Sequence, residues 1–507
     1  MAVQLPGSIQ SIALGDGYAI RAPGVIGSAE LKRPRSATER SRSRTVDDGT
    51  AALDAALAES NVTEVRQIEI SLQPPPRTLP TRALRSIDGR EELLEVSVPD
   101  LGAETGQVVL ACDETGVLTW HLPVDDQQQV QPSTKRGSGG TKRFLIPASR
   151  PQPAPAADGA KRSLIGVIGK KLLKVLVYPI LDPVIGKISE LFAEHWEQKK
   201  RPYGLRDFSP ANFRDPNGPA LAEADWQKIA AGRGLLFIHG TFSTAHGAFN
   251  QIPDDVFAEL HRRYGGRVLA FNHFSLSHSP RRNIEWLLAN LPAGAFEFDI
   301  VCHSRGGLVA RTLAEHPAVF QLNAARVRVP RLVCVGVPNA GTLLAHPDHM
   351  VKLLDRVTTS LNLFPSGPVT ETLEAIITAV KVIGHGALGG LDGLASMNPS
   401  GKFLSELNQG PASDTLYHAI AADYEPTDEG LKALITGKVA DAVADRVFGN
   451  DANDLVVPLA GAFGANGCGA FPIPDERVVQ LPSTAGVMHT QLFGHPETGK
   501  KLLEWLA

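Results

Sequence analysis

Ser304 has the chemical setting of a nucleophile. It lies in Asp299-Ile300-Val301-Cys302-His303-Ser304-Arg305-Gly306-Gly307-Leu308-Val309, an apolar strand-like run, a one-residue corner and a helix that opens on two glycines. This is the layout of a nucleophile elbow, in which a tight strand-to-helix turn lifts a serine hydroxyl clear of a sheet. Backbones crowd two residues to either side of such a serine, so small residues are needed there. Gly306 meets that need on one side, and Cys302 stands where glycine is familiar on the other.

A serine hydroxyl needs a base to take its proton and a carboxylate to orient that base. His489 is the candidate base, placed after the last strand-like run and before a C-terminal helical pattern containing Leu502, Leu503, Trp505 and Leu506. His495 is the alternative, although Gly494-His495-Pro496 reads as a turn leading into that helix. Asp454, at the head of Asp454-Leu455-Val456-Val457-Pro458, is the leading acid, with Asp423 and Asp451 as competitors. The order Ser304, Asp454, His489 is the chain order this type of site requires. Residues 450–454 also carry enough polar side chains to suggest calcium, but without the spacing of a recognised loop.

Developing negative charge on an attacked carbonyl needs N–H donors. The N–H of Arg305, next to the serine, is one candidate. The other is Thr241, with Phe242 as alternative, in Ile238-His239-Gly240-Thr241-Phe242-Ser243 after an apolar strand. His239 is expected to bond within that loop. Phe242 and His303 are further expected to contact substrate, and His303, facing another direction on the elbow, is also expected to pack or hydrogen-bond there. His346-Pro347-Asp348-His349 could hold a metal, but the proline breaks any helical spacing and a solvent-exposed turn is the expectation. No metal or cofactor is called for.

These residues need a scaffold. Leu235–Ile238, Val268–Phe271, Phe298–Cys302, Arg331–Val337 and Leu416–Ala422 are short apolar runs separated by helical or turn-rich stretches, with a sixth at Arg477–Leu481. Strands alternating with helices imply an α/β fold with a doubly wound, mostly parallel sheet. Residues 343–412 form an insertion with apolar residues at helical spacing (Leu373, Ile376, Ile377, Val380) followed by Gly384, Gly386, Gly389, Gly390 and Gly393. Either a mobile lid or a static cap fits that pattern.

His239-Gly240-Thr241, Cys302 through Gly307, Val337-Pro338-Asn339-Ala340-Gly341-Thr342, Asp454 through Pro458 and His489 together resemble the serine lipase and esterase branch of the α/β-hydrolase superfamily, over about residues 230–507. The resemblance implies an α/β-hydrolase sheet with a helical cap. Ser304 would be its nucleophile, His489 its general base, Asp454 the orienting acid, and Thr241 and Arg305 its oxyanion donors. The implied activity is carboxylic ester hydrolysis on an ester or lipid-like small molecule. Acyl transfer, thioester or amide hydrolysis on the same triad, or a regulatory protein built on the hydrolase fold, are the alternatives.

At 507 residues the chain exceeds one ordinary core. Residues 1–125 read as a smaller β-rich domain, with alternation over Val65–Leu72 and Leu93–Val98 and a hairpin over Gln107–Leu122 turning at Glu114-Thr115-Gly116. This domain could recruit a protein partner. Residues 126–160, rich in Gln, Ser, Gly, Pro and Ala, read as a linker. Residues 161–205 read as an amphipathic helical segment, with Val184, Ile185, Ile188, Leu191, Phe192 and Trp196 at helical spacing, and the catalytic domain follows from 206 to 507. The basic half of that segment offers a peripheral membrane contact or a helix packed between domains. Lys32–Arg44 holds six basic residues against one acid and reads as a solvated loop.

A net charge of −4 with 21% charged residues gives no whole-chain attraction for nucleic acid. Cys112, Cys302, Cys334 and Cys468 show no paired spacing, which favours a reducing compartment. The first twenty residues lack a secretory pattern and no window reaches about 18 apolar residues. The expectation is therefore a cytoplasmic protein, with membrane-peripheral placement open.

Overall fold

A computed structural model describes residues 1–34, 48–73, 93–113, 116–124, 140–148, 169–182, 186–187, 191–315, 317–363, 365, 367–409, 413–424, 454–465 and 471–506. They divide into two compact units. The first comprises Met1–Lys187 with Thr358–Leu363 and Ile435–Val447, and the second Ile188–Val357, Phe364–Leu434 and Phe448–Ala507.

The first unit is built on two antiparallel sheets. One has six strands, in the order Val3–Pro6, Ile26–Lys32, Thr63–Gln73, Gly169–Pro179, Thr105–Asp113, Leu118–His121. The other has four, in the order Ile12–Gly15, Tyr18–Arg21, Leu93–Pro99, Thr141–Pro147. Alternate residues of both, including Ile20, Val96 and Phe144 from the smaller and Ile68, Val109 and Leu173 from the larger, meet in one buried cluster. That period-two burial is what a sheet with one face on a core demands.

Two sequence expectations are corrected here. The stretch read as a linker contains the strand Thr141–Pro147, and the basic half of the segment read as helical is the strand Gly169–Pro179, paired on both sides. The helical spacing lies in the later half, from Val184 to Trp196, and does not carry back into this one. Long-range pairing decides here, burying Leu173 and Val175 in the core while Lys174 is held by Asp54 at 3.1 Å and Glu64 at 3.5 Å. Of the apolar side chains in that strand, Leu173, Val175, Leu176 and Tyr178 are buried. Residues 161–168, 183–185 and 188–190 lie outside the described residues, and the helix α1 spans Leu191–Lys200.

The second unit is organised on a sheet of β1 (Gly204–Asp207), β2 (Gly234–Ile238), β3 (Val268–Asn272), β4 (Phe296–His303), β5 (Arg331–Val335), β6 (Leu416–Ala422) and β7 (Val478–Leu481). Its spatial order is β1-β3-β2-β4-β5-β6-β7, with the two-residue strand Val327–Arg328 beside β4. Only β1 runs antiparallel, against β3. Leu235, Phe237 and Val301 face one core with Phe257 and Leu260 of α2 (Asp254–Arg263). The other face is covered by α4 (Gly306–Ala314), which packs on β2, β4 and β5 and beside α3 (Pro280–Asn290). Burial on both faces is why these strands read as continuous apolar runs.

The chain leaves β2 to one side for β3, then crosses back to the other side for β4. Beyond the carboxyl ends of β2 and β4 lies a topological switch point, the crevice where open α/β sheets place their ligands. Between β5 and β6 are inserted α5 (Met350–Leu363), α6 (Val369–Gly384) and the short helices Asp392–Ala395 and Lys402–Leu407. In α6 every residue from Leu373 to Val382 is buried. The C-terminal helix α7 (Pro496–Trp505) returns Leu502 and Trp505 to the core that holds α2.

Candidate active site

Ser304 follows β4 at the switch point. Its φ is 53°, in the left-handed region that side chains other than glycine enter at a cost. Its N–H donates to Val335 O at 2.9 Å, tying the corner to the end of β5. A Cβ on Gly306 would come within 2.4 Å of the carbonyl oxygens of both Ile238 and His239. Those oxygens are backbone and cannot step aside, so the need for glycine two residues after the serine is steric. Gly307 is similarly closed by Val337, and a Cβ on Gly240 would meet the Ser304 Cβ at 2.6 Å. Cys302 is fully buried, its thiol 3.3 Å from Val333 O, so a small apolar side chain fits where glycine is familiar.

The base and acid are joined directly. His489 Nδ1 lies 2.7 Å from Asp454 Oδ2, with the two side chains 9% and 2% exposed. Asp454 Oδ1 accepts the N–H groups of Val456 at 3.1 Å and Val457 at 2.8 Å, while Asp454 O accepts the N–H of His489 at 3.0 Å. A carboxylate held this way is an acceptor on both oxygens, so Nδ1 carries the imidazole proton and Nε2 is left as the acceptor. Leu455, inside that turn, has φ 85°. Val457 packs with Ala421 and Ala462, and Val456 O accepts the Thr342 hydroxyl at 2.9 Å.

Of the competing residues, His495 and His346 make local bonds of their own. Asp423 N–H pairs with Leu481 O at the end of the sheet, and Asp451 lies outside the described residues, as do residues 450–453 of the calcium reading. His495 Nδ1 accepts the Glu497 N–H and caps α7. His346 closes a 3₁₀ turn by accepting the Asp348 N–H. Among the described residues no group of three His, Cys, Asp or Glu side chains is placed to hold a metal ion.

Around the serine, the N–H groups of Thr241, Phe242 and Arg305 donate to nothing among the described residues. Phe242 is buried with φ 58°. The loop that carries it is fixed by a pair of stacked imidazoles. His239 Nδ1–H donates to Gly240 O at 2.8 Å, His239 Nε2 accepts the His273 N–H at 3.1 Å, and His273 Nε2–H donates to His239 O at 2.9 Å. Burial drives His273 down to about 3, so this brace is neutral. The Arg305 side chain is fully buried and reaches into the insertion, donating to Gly393 O at 2.6 Å and Ser396 Oγ at 3.1 Å, as well as to Asn283 Oδ1 at 3.1 Å. A Cβ on Gly393 would strike Ser275 O at 2.3 Å, so this part of the insertion is seated against the unit's body.

His303, beside the serine, is buried, with Nε2 3.1 Å from His489 O and its ring against those of His489 and Phe493. The bond spans 186 residues of chain, and nothing local to His303 signals it. Gly336, likewise unmarked in the sequence, has φ 59°, and a Cβ there would come within 3.2 Å of the His489 ring. Since Gly336 follows Val335, the partner of the Ser304 N–H, the serine corner and the base ring share one short stretch of backbone.

Among solved structures, the chain is similar to lipase 1 of Pelosinus fermentans, at 14% identity over 54% of this chain and 98% of that one, with a TM-score of 0.37. It is similar to a carboxylesterase of Nitrososphaera gargenis at 13% identity (54% and 90%, TM-score 0.29) and to a soluble variant of the Saccharomyces cerevisiae monoglyceride lipase at 11% identity (54% and 86%, TM-score 0.27). No curated protein matches the chain. Residues 200–507 match the family model described as a domain of unknown function, DUF7379, and the chain belongs to that family.

Proposed function

We propose that residues 200–507 form an α/β-hydrolase that cleaves carboxylic esters through an acyl-enzyme on Ser304. The observation that carries this reading is the buried 2.7 Å bond from His489 to Asp454, made beside a serine held at positive φ on a strand-to-helix corner. In this reading His489 Nε2 takes the Ser304 hydroxyl proton as Oγ bonds to the ester carbonyl carbon. The carbonyl oxygen becomes an oxyanion facing the N–H groups of Arg305 and Thr241, with Phe242 the alternative to Thr241; such donors are each worth about 3 kcal/mol in related chemistry. Collapse breaks the bond to the alkoxy oxygen, which leaves as the alcohol with the proton from His489. Water, activated by the same imidazole, then releases the acid and restores Ser304. Asp454 keeps its charge throughout and stabilises the imidazolium. The apolar insertion favours acyl chains or lipid-like esters over small polar ones.

The test is a fluorophosphonate probe followed by mapping of the modified peptide. Labelling on Ser304, and loss of both labelling and p-nitrophenyl ester hydrolysis in a folded Ser304→Ala protein, are expected. Turnover that survives that substitution defeats the proposal.

A further inference from the structure

We propose that His303 is a positioning residue for the base, fixing the backbone of His489 through a neutral Nε2–H···O hydrogen bond. The inference rests on the proposed role of His489. Carbonyl oxygens only accept, so the 3.1 Å contact from His303 Nε2 to His489 O requires the proton on Nε2. His303 Nδ1 is then a bare acceptor, and among the described residues it has no partner. A buried acceptor without a partner costs about 1–3 kcal/mol. If position 303 only filled space, a phenylalanine or leucine would do so without that penalty. What an imidazole adds is the N–H, and its target is the main chain of the catalytic histidine.

The surroundings keep the bond in one state. Burial, and then the neighbouring charge of His489, hold the pKa of His303 down at about 3. His303 therefore stays neutral when His489 becomes an imidazolium, and does not compete for the serine proton. The two rings sit 4.8 Å apart between centroids, with Phe493 edge-on to His303 at 5.7 Å. His489 is thus gripped on three sides. Asp454 holds its ring, Asp454 O holds its N–H, and His303 holds its carbonyl. Because His303 precedes Ser304 directly, the same grip sets the base relative to the nucleophile.

Three variants of the full chain test this. His303→Phe keeps the ring and loses the donor; His303→Asn keeps a donor too short to reach; His303→Gln places an amide N–H near the original Nε2. The readouts are the rate of Ser304 labelling by a fluorophosphonate and kcat and KM on p-nitrophenyl butyrate, with thermal melts to establish folding. Labelling and kcat are expected to fall about 10- to 100-fold in the Phe and Asn variants, the scale of a small misplacement of a catalytic group. KM should stay unchanged, and Gln should recover most of the rate. Equal losses in all three variants would mean that the ring serves packing only, and parental rates in the Phe variant would remove the role altogether. A parent protein that never labels fails the proposed function itself, and the inference with it. A parent that labels while the Phe variant labels equally fast overturns the inference alone.

Discussion

Replacing Asp454 by asparagine removes one charge and almost no volume, and the local geometry dictates its effect on His489. Asp454 Oδ1 accepts two backbone N–H groups, from Val456 and Val457, while Oδ2 accepts His489 Nδ1–H. The introduced amide must keep its carbonyl oxygen toward the two N–H groups, since turning NH₂ onto them would set donors against donors. Its NH₂ then faces Nδ1 at the former 2.7 Å contact and can only donate. Nδ1 has to become the acceptor, so the imidazole proton moves to Nε2. An imidazole in that tautomer cannot take the Ser304 proton.

The equivalent substitution in serine proteases lowers kcat by about 10⁴, which corresponds to about 5 kcal/mol of transition-state stabilisation. The same magnitude is expected for Asp454→Asn, measured as kcat on p-nitrophenyl butyrate, with KM and the far-ultraviolet dichroism unchanged. Asp423→Asn is the internal control, because its backbone is bonded to β7 and His489 is paired elsewhere; it should lose little activity. If Asp454→Asn retained activity while Asp423→Asn abolished it, the tautomer argument and the assignment of the acid would both fail.

Two further outcomes follow from the same geometry. Gly306→Ala drives a methyl into two main-chain carbonyls and should cost about 3 kcal/mol or more of stability by overpacking, read in urea titration; a loss below about 1 kcal/mol would show that the corner can relax. His273 and His303 have folded pKa values near 3, below the ordinary 6.5, so their contribution to stability is fully present above pH 6.5 and is lost as pH falls toward 3. Each loss amounts to roughly 5 kcal/mol at full protonation, against a total of about 5–15 kcal/mol for a typical domain. Melting temperature should therefore drop steeply as pH falls from about 6.5 to about 3. The His303→Gln variant, with no imidazole to protonate, should lose less over that interval, and equal losses would contradict the shift.

How much of this was legible depended on how local the deciding interaction is. The parallel strands could be read because burial on both faces leaves continuous apolar runs, and the serine corner could be read because Gly306 is required by two carbonyls immediately beside it. Gly169–Pro179 was misread because its neighbours in the sheet, Thr63–Gln73 and Thr105–Asp113, lie far away in the chain, while the helical spacing of the residues that follow it is local. The choice between Asp454 and Asp423 was open for a different reason. What sets Asp454 apart is a four-residue turn that folds two N–H groups onto one carboxylate oxygen, and its composition is ordinary.

The strained backbone positions make the same division sharper. Phe242, Ser304 and Leu455 all have positive φ, and they lie respectively in the loop of candidate oxyanion donors, at the candidate nucleophile and beside the candidate acid. Each such position costs on the order of 1–3 kcal/mol and persists only where its surroundings over-determine it. Nothing about phenylalanine, serine or leucine announces that strain. What can be seen in advance are the residues that make room for it, Gly240 under the serine and Gly306 beneath the corner, because a glycine is the one residue whose necessity is purely steric. The residues that hold these groups in place, Thr342 on the Asp454 turn, His239 in the loop of candidate donors, His273 bonded to it from the end of β3, and His303 beneath His489, act through hydrogen bonds to main-chain atoms. Those bonds are indifferent to the side chain at the receiving end. That indifference is why a reading of residue types finds the catalytic groups more readily than their supports.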